Sequence, residues 1–161
     1  MQALETVLTS LDRAPGLLRE LVAEMPPHLC KRRLRPEKWS LHEHACHLAV
    51  AQDLFFERLD RMLTEDRPTI RPYLPHEEGY PDLLAMDLDP TLTRFETDRK
   101  RLVDRLRRLT PAEWQRPARH AEYARYTVYI MFRHLAMHDI LHLYRMEELL
   151  LAPSFFPAEP V

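Results

Sequence analysis

The 161-residue chain is poor in glycine and cysteine, with two residues of each. Few glycines and few β-branched runs, together with many leucines, predict helices rather than sheet. Two cysteines, Cys30 and Cys46, do not form a disulfide framework in a chain of this length. No apolar run approaches the ~20 residues that cross a bilayer, and an N-terminus carrying Glu5 and Asp12 is not a signal peptide. We therefore expect a cytoplasmic protein that does not contact a membrane.

Charge of either sign is not in excess, because 23 basic residues balance 25 acidic ones and the formal net charge is −2. This balance gives no general attraction to nucleic acid. The 45% hydrophobic and 30% charged residues are ordinary for a soluble protein. Residues 1–161 are predicted to form a single domain, whose core needs neither disulfides nor a structural metal. A bound metal would therefore have a functional role.

Prolines divide the chain into segments with helical hydrophobic periodicity, and Ser40 followed by Glu43 predicts a capping box at the second helix. Pro15 is expected either to kink the first helix or to start a second piece. The pattern predicts an all-α four-helix bundle with a long connection between helices 2 and 3. The predicted helices cover about 2–25, 40–65, 90–109 and 127–151, with a short helical turn at 110–114.

The long connection, residues 66–89, contains four prolines, the pair His76 and Tyr80, and the acidic pair Glu77 and Glu78. Long loops in compact domains are often lids over a site. We interpret this one first as a surface crossover, with a lid as the alternative.

Nine histidines are the unusual feature of the composition, and three of them lie on one arc of the fourth helix. Residues four apart on a helix share a face, so either His134 and His138 or His138 and His142 can reach one metal ion. His138 belongs to both pairs. On a helical wheel, one arc of this helix is predicted to face the interior of the bundle. It contains Met131, His134, Leu135, His138, Leu141, His142, Arg145 and Leu149.

The second helix is expected to supply a third ligand. On its wheel His44 lies near the centre of the apolar stripe and His47 at the edge, so the wheel slightly favours His44, while His42 points outward. Hydrogen-bonded core histidines are the alternative to metal ligands. The cluster His42-Glu43-His44 is not the H-E-x-x-H motif of metalloproteases. No inward carboxylate stands out as a general base, since Asp139 lies about a quarter turn off the stripe.

Two segments of the chain resemble the DinB-like (DinB/YfiT) superfamily of metal-binding four-helix bundles. One is Trp39-Ser40 with His47-Leu48 eight residues later, and the other is the run from His134 to His142. The resemblance implies that His47, His138 and His142 are the metal ligands. It implies that His134 orients a ligand or water without binding the metal. From its position on the helix, Asp139 is at best a candidate for the same supporting role.

The same resemblance implies a divalent-metal enzyme, either a hydrolase or an S-transferase of a low-molecular-weight thiol, acting on a small molecule. Three imidazoles suit zinc or nickel best here, with iron or copper also able to bind. The family commonly has glutamine where this chain has Arg145, and we expect Arg145 and Arg99 to hold an anionic group of the substrate. The alternatives are a non-catalytic metal-binding stress-response bundle and a structural dimer module. A homodimer is the expected assembly.

Overall fold

A computed structural model describes residues 2–72 and 80–155 of the chain. Four of the helices in this part of the chain are long, and α4 is a single turn. Two short parallel strands join the connection after α2 to the segment before α5. The elements are α1 (Gln2–Glu24), α2 (Leu41–Thr64), β1 (Thr69–Ile70), a 3-10 turn (Leu83–Ala85), α3 (Leu88–Leu106), α4 (Pro111–Trp114), β2 (Arg119–His120) and α5 (Val128–Leu150).

The predicted capping box at the start of α2 is confirmed. The Ser40 hydroxyl accepts from the backbone N–H of Glu43, and the Glu43 carboxylate accepts from the backbone N–H of Ser40 at 2.9 Å. Thr127 caps α5 in a similar way by accepting from the N–H of Ile130. Pro15 lies inside a continuous α1, so it does not start a separate helix. The predicted four-helix bundle is therefore confirmed.

The helix directions follow from two apolar clusters that lie at opposite ends of the bundle. The start of α1 shares one cluster with the start of α5 and with the ends of α2 and α3. The second half of α1 shares the other cluster with the second half of α5 and with the starts of α2 and α3. Thus α1 and α5 run parallel, and α2 and α3 run in the opposite direction. Since α2 ends and α3 begins at opposite ends of the bundle, the long predicted connection must cross its full length.

A buried polar layer separates the two clusters. Arg99 of α3 donates to Gln52 of α2 at 3.0 Å, to the Leu11 carbonyl of α1 at 3.2 Å and to both carboxylate oxygens of Asp139 of α5. Arg99 and Asp139 are each 1% exposed. One ion pair therefore connects all four long helices at mid-height.

The helices of the bundle were compared with the length and hydrophobicity of a membrane-spanning helix. Among residues 2–72 and 80–155, no helix combines the length and the low charge needed to pass through a bilayer.

Candidate metal centre

Three histidines from two antiparallel helices meet at one point in the bundle. His47 of α2 and His138 and His142 of α5 each offer a ring nitrogen, and these three atoms lie within 4.8 Å of one another. The Nε2 atoms of His47 and His138 are 3.0 Å apart. That distance is close to the ~3.3 Å edge of a tetrahedron whose nitrogen ligands lie ~2.0–2.1 Å from its centre. The donor set therefore fits a small divalent ion.

The electrostatics of the centre favour imidazoles that are ready to bind a metal. Burial, assisted by the neighbouring histidines, lowers the pKa of His47 to about 3 and that of His142 to about 2. A neutral imidazole is the form that ligates metals. At neutral pH, protons therefore compete little for these two ligands.

Each ligand is held in a different way on the side facing away from the common point. The Nδ1 atom of His47 is 2.7 Å from the Tyr80 hydroxyl, and the Nδ1 atom of His142 is 2.8 Å from the Nδ1 atom of His44. Within the part of the chain that the structure describes, the buried Nδ1 atom of His138 has no hydrogen-bond partner. The carboxylate of Asp139, 3.9 Å away, is too far for a hydrogen bond but approaches this atom.

Trp39 forms a wall of the centre. Its ring centroid lies 4.8 Å from that of His47 and 5.8 Å from that of His142, with the second pair of rings stacked. The tryptophan that carries part of the family resemblance therefore packs directly on two of the three ligands.

The structure brings together the triad that the resemblance implied, rather than the one that the wheel favoured. His44 lies beside the triad and bonds to His142, so it holds one ligand in place. His134 lies one turn from His138 and its ring is 6.0 Å from that of Tyr123. Its predicted role in orienting a ligand stays a prediction.

The prediction that His42 points outward is wrong. His42 is 2% exposed, and its Nε2 atom lies 2.9 Å from the Leu83 carbonyl oxygen. The 3-10 turn of the long connection folds back over α2 and covers it. A helix wheel assigns a buried face only from the helix's own residues, so it did not include this cover.

The predicted position of Asp139 is also wrong, because Asp139 lies on the buried face of α5 rather than beside it. The wheel included Leu141 in that face, but Leu141 is 50% exposed. The buried face of α5 in the structure is rotated relative to the arc that the helical wheel predicted. His138 and His142 therefore lie at its edge. They can therefore reach both α2 and the pocket described below.

The expected contact of Arg99 with a substrate is contradicted by its burial. Asp139, Gln52 and the Leu11 carbonyl bind its guanidinium group in the core. Arg145 is exposed, pairs with Glu148 at 2.6 Å and lines a separate surface depression. Its predicted role in substrate binding stays a prediction.

A pocket of about 330 Å³ opens from the triad and continues along α2. At its far end lies Arg58, which sequence reasoning missed. Arg58 follows His47 by eleven residues, which is close to three turns and places both on one face of α2. A polar residue at that spacing was the signal that could have identified it. Aromatic side chains complete this end of the pocket, among them His120, Tyr123 and Tyr126.

Comparison with known proteins agrees with this geometry. The family model of the DinB superfamily matches residues 10–146. The chain belongs to the DinB superfamily. The resemblance carried by the tryptophan and histidine motifs is thereby confirmed.

Named relatives of this DinB-superfamily chain include bacterial proteins described as candidate metal-dependent hydrolases. One from Oceanobacillus iheyensis is 26% identical over 117 residues, which cover 71% of this chain and 67% of that protein. One from Bacillus licheniformis is 26% identical over 145 residues, which cover 87% and 82%. The solved structure of YfiT from Bacillus subtilis, described as a candidate metal-dependent hydrolase with an unusual four-helix-bundle topology, matches with a TM-score of 0.79. YfiT is 22% identical over 91% of this chain and 85% of its own, a likeness that concerns the fold.

Proposed function

We propose that this chain is a divalent-metal-dependent hydrolase of small molecules. The observation that carries the proposal is the convergence of three histidine nitrogens within 4.8 Å of one another beside an open pocket. His47, His138 and His142 would hold the ion. Two named relatives that are described as candidate metal-dependent hydrolases support hydrolysis over other metal chemistry.

The chemistry that such an ion supplies when bound is Lewis acidity toward water or substrate at the coordination position that three protein ligands leave open. The chain's own residues prepare the place for it. Tyr80 and His44 fix the ring orientations of His47 and His142. Trp39 packs on two of the ligand rings and reduces their access to water. The reacting group of a substrate would therefore meet the triad at the inner end of the pocket.

Metal analysis tests the site. The chain is purified without a histidine tag, and its zinc, nickel, iron and copper contents are measured by mass spectrometry. We expect about one ion per chain, zinc or nickel most of all, and its loss in His47→Ala, His138→Ala and His142→Ala. His28→Ala is the matched control, because His28 is exposed and outside the pocket. Wild-type metal content in all three triad variants would overturn the site.

Activity assays then test the reaction on the metal-loaded protein. A panel of small esters and amides is assayed alone and with a low-molecular-weight thiol plus an electrophile. We expect hydrolysis that needs no thiol and is lost in the triad variants. Formation of a thiol conjugate without hydrolysis would instead support the S-transferase. Bound metal with no turnover would support the non-catalytic metal-binding bundle.

A further inference from the structure

The buried cation at the far end of the pocket, Arg58, has no ion-pair partner in the part of the chain that the structure describes. Arg58 is 8% exposed, yet no carboxylate among residues 2–72 and 80–155 lies within ion-pair distance of it. Its Nη2 atom donates to the Arg71 carbonyl at 2.6 Å, and the Tyr126 hydroxyl lies beside the guanidinium group. Arg99, the other buried arginine, is neutralised by Asp139. Burying a charge without an opposite charge is strongly unfavourable unless a partner arrives.

The surroundings of Arg58 keep its charge uncompensated. Burial lowers the pKa of Arg58, and the Tyr126 hydroxyl only partly offsets that effect. The pKa of Tyr126 is itself raised by burial, so its hydroxyl stays neutral. Burial and the charge of Arg58 lower the pKa of His120, and burial lowers that of His134, with Arg58 contributing. Arg58 is therefore the buried positive charge at this end of the pocket, whose exposed rim also carries the carboxylate of Glu122.

Aromatic rings enclose the space next to that charge. The ring centroids of His120 and Tyr123 are 4.5 Å apart, and those of His120 and Tyr126 are 4.7 Å apart. The rings of Tyr123 and Tyr126 are nearly parallel, with 7° between their planes. Rings in such an arrangement stack well with a flat or apolar group of a ligand. Glu122 is exposed on the rim of the pocket. Its negative charge opposes the lowering of the pKa of His120 by burial and Arg58.

We propose that this pocket binds a monocarboxylate with an aromatic or apolar body, and that Arg58 holds its carboxylate. The inference rests on the proposed hydrolase, whose substrate class it names. A guanidinium group matches a carboxylate in a bidentate geometry. A carboxylate carries the single negative charge that one arginine neutralises, whereas a phosphate monoester brings more charge than the neutral histidines nearby can offset.

The length of the pocket adds a constraint on the substrate. The Cα atoms of His47 and Arg58 are eleven residues apart on one helix, or ~16 Å along its axis, and the long arginine side chain leans back toward the helix start. The carboxylate would therefore be several bonds away from the group that meets the triad. A pocket of about 330 Å³ has the volume of a small-ligand site.

Calorimetric titration of the full chain tests the carboxylate site without any turnover. The probes are benzoate, its neutral counterpart benzamide, and phenyl phosphate. We expect benzoate to bind at least tenfold more tightly than benzamide. Phenyl phosphate binding more tightly than benzoate would overturn the assignment to a carboxylate.

Variants then locate the site. Arg58→Met keeps the apolar stem and removes the charge, and we expect it to weaken benzoate binding at least tenfold, with a smaller loss in Arg58→Lys. The control is Arg61→Met, because exposed Arg61 pairs with Glu65 outside the pocket, and its benzoate affinity should match the wild type. Unchanged benzoate affinity in a folded Arg58→Met, or in Arg58→Gln if the first variant does not fold, would overturn the proposal.

A further titration separates this inference from the proposed hydrolase. In His142→Ala, which we expect to lack the metal, benzoate should still bind with an affinity that depends on Arg58. If His142→Ala loses benzoate binding while Arg58→Met keeps wild-type benzoate affinity, benzoate binds the metal ion. That result would overturn the role of Arg58. If the wild type shows no hydrolysis but binds benzoate in a way that depends on Arg58, the proposed hydrolase is overturned and the carboxylate site is not.

Discussion

At the scale of single residues, Asp139 connects the core of the bundle to the candidate metal centre. Burial alone would raise the pKa of its carboxyl group, but the charge of Arg99 holds that pKa below its usual value. The resulting carboxylate lies 3.9 Å from the Nδ1 atom of His138, which has no hydrogen-bond partner among residues 2–72 and 80–155. Metal-binding histidines usually donate their second ring nitrogen to a carboxylate or a carbonyl group. A small movement of His138 toward Asp139 would complete this arrangement.

The variant Asp139→Asn should therefore change two properties. Removing the charge leaves Arg99 buried without a counter-charge, so the free energy of unfolding should fall by about 3–5 kcal/mol in urea denaturation. Replacing the charged acceptor toward which His138 can move with a weaker, neutral amide should lower metal affinity roughly 10–100-fold in a chelator competition titration.

A double variant separates these effects. Replacing the ion pair with apolar residues, Arg99→Met with Asp139→Leu, should restore most of the lost stability. It should not restore metal affinity, because leucine offers His138 no acceptor. Wild-type metal affinity in both folded variants would show that Asp139 acts only through the stability of the core.

At the scale of elements, the start of α2 places the metal ligand His47 two turns beyond a capping box. Glu43 of that box is 3% exposed and also binds Arg33, so the box is part of the packed structure. Thr110 and Glu113 form the same motif at the exposed α4. The two boxes therefore allow one motif to be compared in a packed and an exposed setting.

The substitution Ser40→Ala should lower the free energy of unfolding by about 1–2 kcal/mol, because it removes a buried helix cap. The matched substitution Thr110→Ala should have a smaller effect, since Thr110 is exposed and caps only a single helical turn. Chemical denaturation followed by circular dichroism measures both. An equal loss in the two variants would mean that burial of the box adds nothing to its stabilising effect.

Local signals explain why the helices were predictable. Ser40, Thr110 and Thr127 carry their capping chemistry in the sequence, and the helices that follow them begin at the next residue. The start of α3 was expected near Pro90 but lies at Leu88, because proline is tolerated in the first turn of a helix. Errors of this size do not change the fold.

Long-range contacts explain what the sequence could not predict. His42 is covered by a turn about forty residues later, and Arg99 is neutralised by a residue forty positions away. The choice of His47 over His44 came from family resemblance, since both lie near the inner face of α2. Arg58 was missed because its significance depends on the aromatic segment before α5. The prediction for the connection included His76, Glu77 and Glu78, which lie outside the described residues.

At the scale of the whole molecule, α5 presents an apolar face to solvent opposite its buried face. Met137 is 64% exposed, Ile140 56%, Leu141 50% and Tyr144 59%. Their spacing of three and four residues places them in one stripe. Such a stripe is a natural surface for the predicted homodimer, since a two-fold axis can pair it with its own copy.

We expect the wild-type chain to sediment as a dimer at micromolar concentration and Ile140→Glu to sediment as a monomer, because a charge in the stripe would be buried on pairing. Lys100→Glu, an exposed substitution on α3, is the control and should remain dimeric. Sedimentation velocity over a range of concentrations measures this. A wild type that stays monomeric up to about 100 μM would contradict the homodimer.

The parallel course of α1 and α5 has a consequence for engineering the molecule. Because these neighbours point the same way, the start of α1 and the end of α5 lie at opposite ends of the bundle. Helix α5 has 23 residues and is therefore ~34 Å long. A circular permutant would need a linker of at least about ten extended residues along the outside of the bundle. Fusion partners attached before α1 and after α5 would, for the same reason, start from opposite ends of the bundle.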